Sequence, residues 1–148
     1  MQKYLVKIYA VAFLFAGCTL LSSAAFAAPS PGECPQPRFT GRAPDDYLNM
    51  KSPANVDAKE GERLFQGGGQ VNCAICHGKT GNGKGQLASL YDPPPRNFAC
   101  SMVVVGIPDG QLFWIIRYGS PGTAMPPHAS LKDEQIWQIV AHLRQLAR

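Results

Sequence analysis

Cys73-Ala74-Ile75-Cys76-His77 sets two thiols three positions apart and an imidazole directly after the second. That spacing suits three chemistries: a redox dithiol, half of a zinc site, or covalent haem attachment. A redox C-x-x-C belongs in a βαβ setting, and no stretch of this chain alternates convincingly as a strand. Structural zinc would ask for a second C-x-x-C or an H-x-x-x-H, and the sequence has neither. In the third chemistry the two sulfurs add across the vinyl groups of one haem, and the histidine ligates its iron. The pentapeptide is therefore read as the attachment site of one haem c, with Cys73 and Cys76 as covalent links and His77 as an axial ligand.

The residue on the other axial position decides what such an iron can do. Met50, Met102, Met125, His128 and His142 are the candidates. Met125 stands in Gly119-Ser120-Pro121-Gly122-Thr123-Ala124-Met125-Pro126-Pro127, a stiff non-helical segment between two helical patterns. A flexible thioether needs such backbone to be held against a metal, although most methionines only fill core space. His128, three residues on, is an alternative ligand that would give a lower potential. Met50 and Met102 read as packing residues, and His142 as a histidine on the packed or exposed side of the last helix.

Several elements must position these groups. Asp57 to Gln66 reads as a short helix, with Asp57 and Glu60 as a capping-box-like start, Asn55 as an alternative cap, and Gly67-Gly68-Gly69 as its stop. Gly61 shares the apolar face with Leu64 and Phe65. A glycine there costs about 1 kcal/mol relative to alanine, which suggests close passage of another backbone. Gly78 to Gly85 reads as a flexible loop, and Gln86 to Tyr91 as one helical turn stopped by Pro93-Pro94-Pro95. A further helix runs from Pro108-Asp109-Gly110, capped by Asp109 and closed by Gly119, with Leu112, Ile115 and Ile116 on its apolar face. The last starts from Ser130 with Asp133 at the box position and repeats Ile136, Ile139, Val140, Leu143 and Ala147 at helical spacing. The expected fold is small and all-α, with three to five helices around one haem that supplies core a short chain would otherwise lack.

Residues 1–27 have the form of a secretory signal peptide: Lys3 and Lys7, the apolar run Ile8–Leu21, and an A-x-A site at Ala25-Phe26-Ala27. Two alternatives stay open. An uncleaved Ile8–Ala28 segment is just long enough to span a bilayer, and Phe15-Ala16-Gly17-Cys18 resembles a lipoprotein box that would acylate Cys18. Residues 28–53 form an extended proline-rich arm, and 54–148 the working domain. Without Lys3 and Lys7 the chain has 12 basic and 10 acidic side chains, scattered rather than striped. Two haem propionates roughly cancel the excess, and no nucleic-acid partner is expected. Of five cysteines, Cys18 lies in the leader and two serve the haem, which leaves Cys34 and Cys100. In an exported chain an even remainder suggests a disulfide, against two free buried thiols.

In combination these motifs resemble class I cytochrome c: the helix with Gly61 and Phe65, then Cys73-x-x-Cys76-His77-Gly78, then Gly122-Thr123-Ala124-Met125-Pro126, then a C-terminal helix. The resemblance spans about Ala54 to Arg148. It implies one haem with His77 and Met125 as axial ligands and a crossing of the first and last helices at Gly61, with Phe65 against the last. It also implies that a carbonyl of Pro93–Pro95 accepts the other ring N–H of His77. One departure is His142, where the family usually has an aromatic; Trp137 is the candidate to supply that bulk. Arg96 and Arg117 are candidate cations for the propionates, and Trp114, Trp137 and Tyr118 are candidate haem-lining aromatics against ordinary core packing.

His/Met ligation closes both axial positions and raises the potential relative to bis-histidine ligation. The expectation is a periplasmic carrier of single electrons between larger redox proteins, not an enzyme. The donor and acceptor are not named by these residues, and a membrane-associated oxidase or a periplasmic dehydrogenase would suit. Two alternatives remain: a gas-binding or peroxidase-like haem protein if Met125 is not a ligand, and a membrane-tethered electron-input subunit of a larger complex.

Overall fold

The computed structural model describes residues 32–34, 36 and 40–147. The expected signal peptide, its cleavage site, Cys18 and the first residues of the arm lie outside them. Among the described residues there are six α-helices, one 3₁₀ turn at Ala88–Leu90 and no strand. The helices are α1 (Asp45–Leu48), α2 (Ala58–Phe65), α3 (Ala74–His77), α4 (Ser101–Val104), α5 (Asp109–Tyr118) and α6 (Asp133–Leu146). The four-residue helices α1 and α4 escape the sequence reading because one turn has no periodicity to detect. The arm is accordingly not extended throughout.

Asp57 starts α2 by accepting from the backbone N–H groups of Lys59 and Glu60 at 2.9 and 3.1 Å. Glu60 does not complete a box; its carboxylate pairs with Arg63 at 2.7 Å. Helix α2 crosses α6 at Gly61, where an added Cβ would lie 1.9 Å from the Gln138 carbonyl oxygen. One turn further along, Phe65 meets His142 with ring centroids 5.2 Å apart. His142 thus fills the aromatic place itself, while Trp137 packs against Phe113 at 4.7 Å. Ile136, Ile139, Val140 and Leu143 are buried along α6, with Leu64, Phe65 and Val104 against the same core.

Two helix starts differ from expectation. At α5 Pro108 holds the cap position without a side-chain bond, because the Asp109 carboxylate is drawn to Arg144 of α6 at 2.8 and 2.6 Å. At α6 the cap falls on Lys132, whose backbone N–H donates to the Gln135 side chain at 2.9 Å. Asp133 instead forms an ion pair with Arg117. In both cases a tertiary arginine outbids a local cap, since a charge-assisted bond is about twice as strong as a neutral one. No helix among the described residues is long and apolar enough to cross a membrane.

Candidate functional site

The attachment motif forms the single turn α3, whose backbone closes through His77 N–H to the Cys73 carbonyl at 2.9 Å. This turn puts Cys73, Cys76 and His77 on one wall of a cavity of about 650 Å³. That volume lies within the range of cofactor pockets, and the lining is mostly apolar. Burial pushes the Cys73 thiol up to about 11 and raises that of Cys76 as well. A neutral thioether suits this apolar wall.

The Gly78–Gly85 segment is better ordered than the flexible loop expected from composition. Gly83 N–H donates to the His77 carbonyl at 2.8 Å, Gly85 N–H to that of Cys76 at 3.1 Å, and Phe98 N–H to that of Gly81 at 2.6 Å. At Gly85 a Cβ would come within 2.4 Å of the Ile75 carbonyl oxygen. The loop therefore buttresses the motif from behind. The His77 ring lies between Phe98, at 4.9 Å, and Phe65, at 6.4 Å. Its Nδ1 is 3.1 Å from the Arg96 carbonyl oxygen. That contact puts the proton on Nδ1 and leaves Nε2 as the basic nitrogen. The acceptor is one residue beyond the expected Pro93–Pro95 run. Pro95 offers its carbonyl to Gln36 Nε2 at 3.1 Å instead, and the next carbonyl turns to the histidine.

Met125 lines the same cavity from the segment after α5. Gly119 ends α5 at φ +79° and ψ 179°, a region open essentially to glycine alone. A Cβ there would lie 2.8 Å from the Met125 carbonyl oxygen, so the chain folds directly back over this residue. Ser120 N–H donates to the Met125 carbonyl at 3.2 Å, and Met125 N–H to Thr123 Oγ1 at 3.2 Å. Thr123 Oγ1 donates in turn to the Ser120 carbonyl at 2.8 Å, and His128 N–H to that of Ile116 at 3.1 Å. This closed network is the stiffness that a thioether ligand requires. His128 lines the cavity too, and burial holds its imidazole below the usual range.

The other candidates separate. Met50 is partly buried against the core, Met102 is 71% exposed rather than packed, and His142 lies between α2 and α6. Arg96 lines the cavity. Arg117 does not: its guanidinium pairs with Asp133, reaches the Ala129 carbonyl at 3.3 Å and stands 5.7 Å over Phe113. It ties the end of α5 to the stretch that leads into α6. Trp114, Trp137 and Tyr118 do not line the cavity either; Tyr118 bonds Tyr47 at 2.6 Å between hydroxyls. Thr40, Arg42 and Gln111 are among the lining residues that carried no assignment from sequence. Of these Gln111 left a signal, as a polar residue three after Pro108 and four before Ile115, which line the cavity with it. Cys34 and Cys100 are bonded, with Cα atoms 5.6 Å apart.

These residues fit haem: two thiols at attachment spacing, a histidine with a fixed tautomer, a pinned thioether and an apolar chamber. A chain of the reducing HAO-like protein complex of Kuenenia stuttgartiensis has a similar fold, with a TM-score of 0.57 and 23% identity over 75% of this chain. This chain spans about half, 52%, of that one. No curated protein matches. Residues 56–143 match the family model described as cytochrome c oxidase, cbb3-type, subunit III. The match takes in the α2–α6 crossing, the attachment turn and Met125 together, so the chain belongs to this family of c-type cytochromes and is an electron-transfer protein with covalently bound haem c.

Proposed function

We propose that the chain holds one haem through Cys73 and Cys76, with His77 and Met125 as axial ligands, and carries single electrons between larger redox proteins. The bound haem supplies an iron that changes oxidation state by one electron. The observation that carries this reading is that the C-x-x-C-H turn and a hydrogen-bonded Met125 segment face one apolar cavity. Rigid ligand arms keep the same geometry in both oxidation states, so little rearrangement opposes transfer. A closed coordination sphere also leaves no position for a substrate, which argues against an enzyme. The leader expected at residues 1–27 supports export, as the attachment chemistry takes place outside the cytoplasmic membrane in bacteria; the arm (28–53) and the haem domain (54–148) would form the mature protein.

The description of the matched family favours a second role for the same chemistry, electron input within a larger oxidase-type complex. Mass spectrometry of the mature N-terminus separates the two: Ala28 supports a free carrier, and lipidated Cys18 a tethered subunit. The test of the carrier chemistry is carbon monoxide added to the reduced holoprotein. A spectrum unchanged within minutes supports a closed centre, and rapid stoichiometric binding would mean an open iron suited to gas or peroxide.

A further inference from the structure

The described residues of the arm lie ahead of the family match, which begins at residue 56, yet two of them, Thr40 and Arg42, form part of the cavity wall. The described residues of the arm are fastened at several points. Asn97 Nδ2 donates to the Gly32 carbonyl at 3.0 Å, and Cys34 is bonded to Cys100. Gln36 accepts from Asn97 N–H at 2.9 Å while donating to the Pro95 carbonyl at 3.1 Å. Arg96 Nη2 donates to Thr40 Oγ1 at 2.6 Å. Gln111 of α5 then holds the stretch after Thr40, accepting from Ala43 N–H at 2.8 Å and donating to the Gly41 carbonyl at 2.9 Å.

Pro95, Arg96 and Asn97 are thus each bonded to the arm, and the middle one carries the carbonyl that accepts from His77 Nδ1. The arm grips the segment that orients the proximal histidine. It also fixes where the Arg96 charge sits. A guanidinium held at the cavity wall opposes the extra positive charge of oxidised iron.

We propose that the N-terminal arm is a working part of the haem site, with Thr40 as its positioning residue: by holding the Arg96 guanidinium against the cavity it raises the reduction potential of the haem. This rests on the haem reading of His77 and its cavity. Thr40→Val keeps shape and removes the acceptor. The Gln36 contacts to Pro95 and Asn97 remain, so the carbonyl bonded to His77 stays in place while the Arg96 guanidinium loses its bond to Thr40.

The test is a spectroelectrochemical titration of the haem-loaded full chain as wild type, Thr40→Val, Thr40→Ser, Arg96→Leu and the Thr40→Val/Arg96→Leu double variant. At the wild-type midpoint, Thr40→Val should raise the oxidised-to-reduced ratio threefold or more, equivalent to about 28 mV for a one-electron couple. Thr40→Ser should restore the wild-type ratio. Arg96→Leu should shift it at least as far, and Thr40→Val should add nothing on that background. A wild-type potential in Thr40→Val, or a shift that adds fully to that of Arg96→Leu, would overturn the proposal. Should Thr40→Val not take up haem, a wild-type potential in Arg96→Leu overturns it alone. Failure of the underlying haem reading shows separately, as a wild-type protein without covalently attached low-spin haem.

Discussion

Neither ring nitrogen of His142 has a hydrogen-bond partner among the described residues, although the side chain is buried between α2 and α6. Its place in the crossing explains the conflict. The position needs a flat ring against Phe65, and imidazole provides one while stranding two polar atoms. Burial lowers its pKa from the ordinary 6.5, and Glu62 on the facing helix opposes that shift only in part. Between the lowered folded-state value and 6.5 the unfolded chain binds a proton that the folded chain refuses. Stability therefore rises with pH across that window and levels off above it. His128, depressed in the same direction, adds to the slope. In urea titrations at about pH 5 and pH 8, His142→Phe should stabilise the protein at the acid end by about 1 kcal/mol or more. It should flatten the slope without abolishing it. A His142→Phe protein as acid-sensitive as wild type would show that the orphaned ring is not the source. From the sequence alone His142 reads as a departure from the family pattern; that it conserves the ring and sacrifices its hydrogen bonds is visible only once Phe65 lies opposite.

At the scale of elements, the decisive feature is how α5 ends. Gly119 does more than stop a helix: its backbone conformation and lack of a side chain let residues 120–127 fold back so that Met125 faces the cavity. Gly119→Ala should cost about 1–3 kcal/mol from the disallowed backbone alone. The clash with the Met125 carbonyl should also loosen the segment, so that the oxidised protein gains a high-spin fraction in its visible spectrum. An alanine variant that is destabilised but wholly low-spin would make Gly119 a helix terminator and nothing else. The long elements were legible in the sequence because α2 and α6 bury rows of residues at helical spacing, and Gly61 forecast a backbone crossing. Cap positions were not legible. Asp109 and Asp133 look like local caps until Arg144 and Arg117 arrive from other elements. The Arg117 pairing with Asp133 was hidden for the same reason, since sequence gives a side chain its charge and not its partner.

For the whole molecule, the C-x-x-C-H motif was readable because its spacing is set by the cofactor, whereas the acceptor for His77 is a backbone carbonyl and leaves no trace in residue type. The arm was the least legible part. Its prolines predict extended chain, and nothing in Thr40 or Arg42 predicts a seat at the cavity. The disulfide makes that seat durable, closing a loop of sequence separation 66. On chain-entropy grounds such a link contributes up to about 4 kcal/mol, less what the haem links already restrict. Replacing Cys34 and Cys100 together by alanine should lower the thermal midpoint by several degrees while leaving haem attachment intact. Loss of covalent haem in that variant would instead make the bridge a requirement for maturation.

The central claim is that Met125 completes the iron's coordination. It is tested most directly by the visible spectrum of oxidised wild-type protein beside Met125→Ala. The wild type is expected to be six-coordinate and low-spin with the weak methionine-to-iron charge-transfer band, and the variant to lose that band together with a change of spin state or ligand. A high-spin wild-type spectrum that Met125→Ala leaves unchanged would contradict it.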